Sequence, residues 1–225
     1  MKPIEPQGTA VNRMHRPRIL LADDHAILLE AFQKLLETEY DIVGMANDGR
    51  ELLAMAVKLQ PDVIVSDISM PNLNGLDACR KIKKVLPRAK LIFLTVTGDP
   101  DLVAEAIRMG ANGFLLKKSA ASELFQAINS VMGGSTYITP LVTAGMIGSL
   151  MTGEGTRESL DGLTVRQREV LQLLAEGSTM KNAARILNVT PRTIAFHKYR
   201  IMEDLQITSN AELIQFAVKH GLVAT

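Results

Sequence analysis

Five short apolar runs constrain the fold of this chain more than any other sequence feature. All lie between Arg18 and Met132, and they cover residues 19–22, 42–45, 63–65, 91–94 and 113–116. Each run is continuously apolar rather than alternating, which is typical of strands buried on both faces of a parallel sheet. The stretches between them carry helix signals, such as the N-cap Asp99 before Pro100 and the terminating Gly110. The pattern predicts an α/β fold, a (βα)5 doubly wound parallel sheet.

The rest of the chain has a different character. Residues 134–160 contain several glycines and polar residues, so we interpret them as a linker that could hold one helix of its own. Beyond them only helical signals occur, namely capping boxes at Thr164 and Ser209 and an N-cap at Thr190. In the first half of the chain, Ser119 is a further predicted helix cap. The predicted organisation is a flexible tail (1–17), an α/β domain (18–133), the linker and a four-helix, all-α domain (161–225).

Composition narrows the class of protein. A chain of 225 residues with 47% hydrophobic residues can bury a sizeable core in each of two domains. It has no run of eighteen apolar residues and no apolar signal-peptide region, so we expect no membrane span or association. The single cysteine, Cys79, excludes an intramolecular disulfide and fits a small buried residue. A reducing, cytoplasmic location follows.

Polar side chains lie at four of the predicted strand ends. Asp23 and Asp24 follow the first strand, Asp67 follows the third, and Thr95 and Lys117 end the fourth and fifth. In a sheet of order 2-1-3-4-5, strands 1 and 3 are neighbours whose carboxyl ends form the ligand crevice. Crowded carboxylates raise one another's pKa, and Mg²⁺ removes that conflict.

This set of residues suits phosphoryl transfer to a carboxylate, with Asp67 as the nucleophile. Thr95 can offer a hydroxyl to a phosphate oxygen, and Lys117 a positive charge. Each residue alone has a plainer interpretation, as a helix cap, a turn residue or a solvated lysine. Their joint occurrence at four strand ends favours the phosphoryl site.

Residues 18–132 resemble a response-regulator receiver domain through LLADDHAIL, DVIVSDISMPNLNGL, IFLTVTGD and GANGFLLKKS. The resemblance implies that a histidine kinase phosphorylates Asp67 and that Mg²⁺ binds at this acidic site. Its implied site residues are the metal ligands Asp23, Asp24, Asp67 and the carbonyl of Ser69, the switch residues Thr95 and Phe114, and the phosphate-pairing Lys117. Lys118 stands where many receivers have proline, so the sequence does not decide whether the peptide bond before residue 118 is cis. A lysine followed by a polar residue is similar to the pattern of the NarL/FixJ subfamily.

The segment from 178 to 205 has the organisation of a helix-turn-helix. Its first helix (179–187) turns Ala183, Ala184 and Leu187 inward, and its second starts at Pro191 with Ile194 inward. From Gly177 to Met202 there are five basic residues and no acidic one. Such clustering is a footprint for nucleic acid or a solvated helix face, so the pattern alone leaves DNA binding and an ordinary helical bundle open.

Residues 160–223 resemble the LuxR-type DNA-binding domain. This resemblance favours DNA binding over an ordinary helical bundle. The resemblance implies a buttressing role for Glu169 and phosphate contacts from Lys181, Arg192, Lys198 and Arg200. Ala195, Phe196 and Tyr199, with Thr193 beside them, occupy base-facing positions, where apolar contact with thymine methyl groups is expected. His197 is either packed or a phosphate contact.

Together the halves are identified as a two-component response regulator of the NarL/FixJ subfamily. Phosphorylation of Asp67 is expected to favour a homodimer, joined through the last helix (209–220), that binds DNA and regulates transcription. We expect no enzyme activity. One alternative is an aspartate-based phosphohydrolase, but such enzymes often carry a second aspartate where this chain has Ser69. The other is a DNA-binding regulator that is independent of phosphorylation. Whether the receiver covers the second helix of the helix-turn-helix stays open from the sequence.

Overall fold

Strands and helices alternate through the first half of the computed structural model, which describes residues 16–96, 98–143 and 162–223. The strands are β1 (Arg18–Ala22), β2 (Asp41–Ala46), β3 (Val63–Asp67), β4 (Lys90–Thr95), β5 (Gly113–Leu116) and β6 (Tyr137–Ile138). The helices are α1 (Ala26–Leu36), α2 (Gly49–Leu59), α3 (Gly75–Val85), α4 (Pro100–Arg108) and α5 (Lys117–Met132). The sheet is parallel, in the order β2-β1-β3-β4-β5-β6. This confirms the predicted doubly wound fold.

Strand β6 differs from the predicted five-stranded sheet, because it comes from residues assigned to the linker. It pairs with β5, placing Tyr137 beside Gly113. The Thr139 hydroxyl donates to Glu123 at 2.7 Å and accepts from the Leu116 amide at 3.3 Å, which fixes this segment to the sheet. Two strand residues are too few for a periodic signal. Residues 140–143 are helical, and the rest of the predicted linker lies outside the described residues.

Both faces of the sheet are covered, which explains the continuous apolar runs. Leu20, Ile64 and Phe93 point to the side of α2, α3 and α4, and all three are fully buried. Ile19 and Val65 point to the side of α1 and α5. Truncating a buried aromatic such as Phe93 to alanine typically costs about 3–5 kcal/mol.

Two local details place the acidic edge of the sheet. A Cβ atom on Gly75, at the start of α3, would collide with the backbone oxygen of Asp67, so glycine allows α3 to approach β3 closely. Helix α5 begins at Lys117, directly after β5, and the Ser119 hydroxyl donates to the Leu116 carbonyl instead of capping the helix. The predicted Ser119 cap is therefore wrong. The described part of the chain contains no cis peptide bond.

The described residues of the second half form four helices, α6 (Val165–Ala175), α7 (Met180–Leu187), α8 (Pro191–Asp204) and α9 (Asn210–Lys219). The capping box of Thr164 and Gln167 is confirmed, as is the Thr190 cap before Pro191. At Ser209 only half of the predicted box forms, because the Glu212 carboxylate accepts from the Thr208 amide. The predicted inward residues of α7 and α8 lie in one core, including Ala183, Leu187, Ile194 and Ile201.

In the described part of the chain, no helix has the length and apolar character needed to cross a membrane.

Candidate functional sites

The carboxylates predicted at the ends of β1 and β3 converge. Ligand atoms of Asp23, Asp24, Asp67 and the neighbouring His25 all lie within 4.8 Å of one another. Asp67 is the last residue of β3, and its side chain is almost completely buried, as is that of Asp23. The pairing of β1 with β3 sets this distance across the sheet. Oxygen donors in such a cluster match the ligand preference of Mg²⁺.

Lys117 lies between two of these acids. Its Nζ is 2.8 Å from Oδ2 of Asp23 and 2.9 Å from Oδ2 of Asp67. Burial raises the pKa of Asp67 to about 6, although the hydrogen bond from Lys117 acts in the opposite direction. The lysine therefore offsets the repulsion between the acids, and the arrangement places a cation beside the nucleophile.

His25 is a contact that the sequence analysis missed. Its Nδ1 lies 2.9 Å from Asp23 and 2.8 Å from Asp24, and its backbone amide donates to Asp23 at 2.9 Å. The hydrogen bond with Asp23, and then the charge of Asp24, raise the pKa of His25 above its ordinary value. Its position directly after the two aspartates was the available signal. His25 also occupies the N-cap position of α1, so the aspartates are not that helix's cap residues.

The remaining residues predicted for this site lie around it. Thr95 is the buried last residue of β4, beside Leu116 of β5. Phe114 is fully buried in β5 and pairs with Phe93. Ser69 lies in the loop between β3 and α3, two residues after Asp67. The structure thus brings all the predicted residues to the carboxyl edge of the sheet or directly behind it.

Helix α8, the second helix of the helix-turn-helix, presents an aromatic surface. Phe196 is 66% exposed and Tyr199 is 63% exposed, which is unusual for large apolar rings. The Nζ of Lys198 lies 5.5 Å from the centre of the Tyr199 ring. Thr193 and Ala195 are half-buried on the same helix. We call α8 the recognition helix.

The basic candidates around the recognition helix are not equivalent. Lys181 and Arg192 are exposed, and Lys181 lines an open hollow of about 580 Å³ between α7 and the start of α8. Arg200 pairs with Glu203 at 3.1 Å and Asp204 at 3.3 Å, just beyond the segment that lacks acids. Burial and the nearby Arg166 lower the pKa of the half-buried His197, which fits the packed alternative.

The two halves contact each other through α6. The Glu169 carboxylate bonds to Arg166 of its own helix at 2.9 Å and also to Lys81 of α3. It therefore contacts the first half as well as supporting its own domain. The recognition helix keeps Phe196 and Tyr199 exposed in this arrangement, so the first half does not cover it.

Comparison with known proteins agrees with both sites. Residues 19–129 match the family model described as "Response regulator receiver domain", and residues 161–217 match "Bacterial regulatory proteins, luxR family". The chain is 33% identical to the transcriptional regulatory protein MctR of Rhizobium johnstonii, over 92% of this chain and 95% of that protein. It is also 33% identical to the oxygen regulatory protein NreC of Staphylococcus carnosus, over 92% of this chain and 99% of that protein.

Solved structures of the response regulator RcsB of Salmonella typhimurium are similar over both halves. One has 26% identity and a TM-score of 0.63, covering 92% of this chain and 99% of that chain. An RcsB–DNA complex has 26% identity and a TM-score of 0.56, covering 91% of this chain and 98% of that chain.

A receiver fold joined to a LuxR-type helix-turn-helix defines the class of transcriptional response regulators. The chain belongs to the NarL/FixJ subfamily of two-component response regulators.

Proposed function

We propose that Asp67 is the phospho-acceptor of this regulator and that a histidine kinase is the donor. The observation that supports this most directly is the convergence of Asp67 with Asp23, Asp24 and Lys117 at the sheet edge. A carboxylate oxygen of Asp67 attacks the phosphorus of the phosphohistidine. The new P–O bond replaces the P–N bond, and the imidazole leaves with the electron pair of that bond.

Mg²⁺ fits the donor set at this edge. Asp23, Asp24, Asp67 and the backbone carbonyl of Ser69 would hold it, since hard oxygen ligands are the ones this ion prefers. When bound, Mg²⁺ offsets negative charge on the phosphoryl oxygens. It also relieves the repulsion that Lys117 and His25 offset in the structure.

The switch relies on residues next to the acceptor. The phosphoryl group adds a charge of about −2, which attracts Lys117 and the Thr95 hydroxyl. Thr95 ends β4, directly before the loop that leads to α4, so its movement is transmitted to that loop. Phe114 packs under the same edge and repacks with it.

The receiver (18–133) and the DNA-binding domain (161–225) are the proposed functional units. Most of the predicted tail (1–17) lies outside the described residues, and Tyr137–Ile138 of the predicted linker (134–160) belongs to the sheet of the receiver. The recognition helix enters the major groove, with Phe196 and Ala195 against thymine methyl groups and Tyr199 bonding a base or phosphate. Lys181, Arg192, Lys198 and Arg200 contact the DNA backbone, and Thr193 lies beside the base-facing residues. Phosphorylation favours a homodimer joined through α9, which binds two half-sites.

The protein acts as a regulator and not as an enzyme, since Asp67 is modified itself. An aspartate-based phosphohydrolase is the second candidate, but Ser69 stands where such enzymes often carry a second aspartate. The buried, unpaired Cys79, whose pKa burial raises to about 12, fits a reducing, cytoplasmic setting.

Labelling with acetyl phosphate tests the acceptor. We expect a Mg²⁺-dependent mass increase of one phosphoryl group that maps to Asp67 and disappears in Asp67→Asn. Asp41→Asn, which removes an exposed aspartate from β2, is the matched control and should label normally. Labelling that persisted in Asp67→Asn would refute the assignment. Multiple turnover of small phosphate esters would favour the phosphohydrolase.

A further inference from the structure

One side chain of the DNA-binding domain holds both ends of a loop in the receiver. Gln172 of α6 donates from Nε2 to the Met70 carbonyl at 2.7 Å, and its Oε1 accepts from the Asn74 amide at 2.8 Å. Its Oε1 also lies 3.2 Å from Nδ2 of Asn74. The side chain is completely buried, so each of these hydrogen bonds forms away from water.

Glu176, one helical turn further on, holds the middle of the same loop. Its carboxylate accepts from the Asn72 amide at 3.1 and 3.3 Å and from Nε2 of Gln172 at 2.7 Å. Asn72 adopts a left-handed backbone conformation with φ of 64°, which asparagine adopts more readily than most residues other than glycine. The DNA-binding domain therefore helps to hold this loop through the backbone amides of Asn72 and Asn74 and the carbonyl of Met70.

Two ion pairs attach the same face of α6 to α3. Arg168 lies 3.2 Å from Asp77, and Glu169 contacts Lys81. Asp77 is bonded in turn by Arg80, which reaches Glu105 of α4 at 2.6 Å. Polar contacts of this kind are common between domains of one chain, whose interfaces are more polar than obligate ones.

The loop that Gln172 and Glu176 hold connects β3 to α3 (residues 68–74) and borders the acidic site. It begins one residue after Asp67, and its Ser69, whose backbone carbonyl is a proposed Mg²⁺ ligand, directly precedes Met70. In the docked arrangement, the carboxylates of Asp23, Asp24 and Asp67 already converge. A loop held in this conformation loses less freedom when a cation binds.

We propose that Gln172 and Glu176 of the DNA-binding domain are positioning residues for the receiver's acidic site, so that domain docking and Mg²⁺ binding strengthen each other. This rests on the proposed function, in which Mg²⁺ binds at Asp23, Asp24, Asp67 and Ser69. Coupling of this kind is reciprocal, so the bound cation strengthens docking by the same factor. The recognition helix stays exposed throughout, so the docked domain remains accessible to DNA.

Mg²⁺ titration of the full chain by calorimetry tests the proposal, together with amide hydrogen exchange at Asn72 and Asn74. Gln172→Ala should raise the Mg²⁺ Kd by about three- to tenfold, the range expected for one or two lost hydrogen bonds. It should also speed exchange of the Asn74 amide. In the wild type, Mg²⁺ should slow that exchange by a similar factor. Gln126→Ala, the same change at an exposed position of α5, should alter neither quantity.

Glu176→Ala is the second variant, because it removes the acceptor of the Asn72 amide at an exposed helix end and leaves the domain core intact. It should raise the Kd in the same direction. An unchanged or lower Kd in both variants would overturn the proposal, whether or not the amides exchanged faster. A wild type that bound no Mg²⁺ would instead refute the proposed function, and this inference with it.

Discussion

The charge on Asp67 should make the metal-free receiver less stable, so Asp67→Asn is expected to stabilise it at neutral pH. Burial raises the pKa of Asp67 from its ordinary 3.8 to about 6. The folded state thus binds a proton more tightly than the unfolded chain. Below pH 3.8 both states are protonated and there is no penalty. The loss of stability from burying the charged carboxylate grows as the pH rises from 3.8 to about 6, and it is complete above that pH.

The size of the effect follows from the same change in pKa. A rise from 3.8 to about 6 corresponds to about 3 kcal/mol, since one pKa unit is worth about 1.4 kcal/mol. Asparagine resembles the neutral carboxyl group in shape and carries no charge at any pH. We therefore expect Asp67→Asn to be about 2–3 kcal/mol more stable than the wild type at pH 7.5 in EDTA. The difference should fall to about 0.5 kcal/mol at pH 4 and vanish below about pH 3.

Urea unfolding with and without Mg²⁺ measures this difference. Saturating Mg²⁺ should stabilise the wild type more than Asp67→Asn, by about 3 kcal/mol at a hundredfold excess over Kd. Asp41→Asn removes an exposed aspartate on β2 and should change the stability by less than about 0.5 kcal/mol. A wild type more stable than Asp67→Asn at pH 7.5 in EDTA would refute this reasoning about the buried charge.

Three further predictions concern DNA binding and packing. Phe196→Ala should weaken specific DNA binding by about tenfold in a fluorescence-anisotropy titration and leave non-specific binding almost unchanged, because a base contact carries sequence information. An equal loss on both DNAs would contradict a base-reading role. Arg192→Ala should reduce the slope of log affinity against log salt by about 0.9, as expected for one phosphate contact. Arg200→Ala should reduce it less, because Glu203 and Asp204 already pair with Arg200, and equal slopes for the two variants would count against this difference. Gly75→Ala should destabilise the receiver by about 1–3 kcal/mol in urea unfolding, since a Cβ collides with the Asp67 backbone; an unchanged midpoint would show that α3 can shift without cost.

The sequence predicted the acidic site because strand order alone brings its residues together. Asp23 and Asp67 are distant in the chain, yet the pairing of β1 with β3 places their carboxylates side by side. Lys117 was predicted to end β5, whereas it is the first residue of α5, directly after the strand. What strand order did not reveal is that Lys117 pairs with both acids.

The domain contact could not be predicted from the sequence. Gln172 and Arg168 have the pattern of ordinary polar positions on an amphipathic helix, and only their partners in the receiver explain their burial. Strand β6 escaped prediction because Tyr137–Ile138 is too short for periodicity. Serine is a common capping residue, which favours a cap at Ser119, but α5 begins two residues earlier at Lys117.

The most direct test of the central claim is DNA affinity as a function of Asp67 phosphorylation. The wild type and Asp67→Asn are titrated with the same operator DNA, in Mg²⁺, before and after treatment with acetyl phosphate. We expect the treatment to tighten DNA binding by the wild type and to leave the affinity of Asp67→Asn unchanged. Identical affinities for both proteins under both conditions would contradict it.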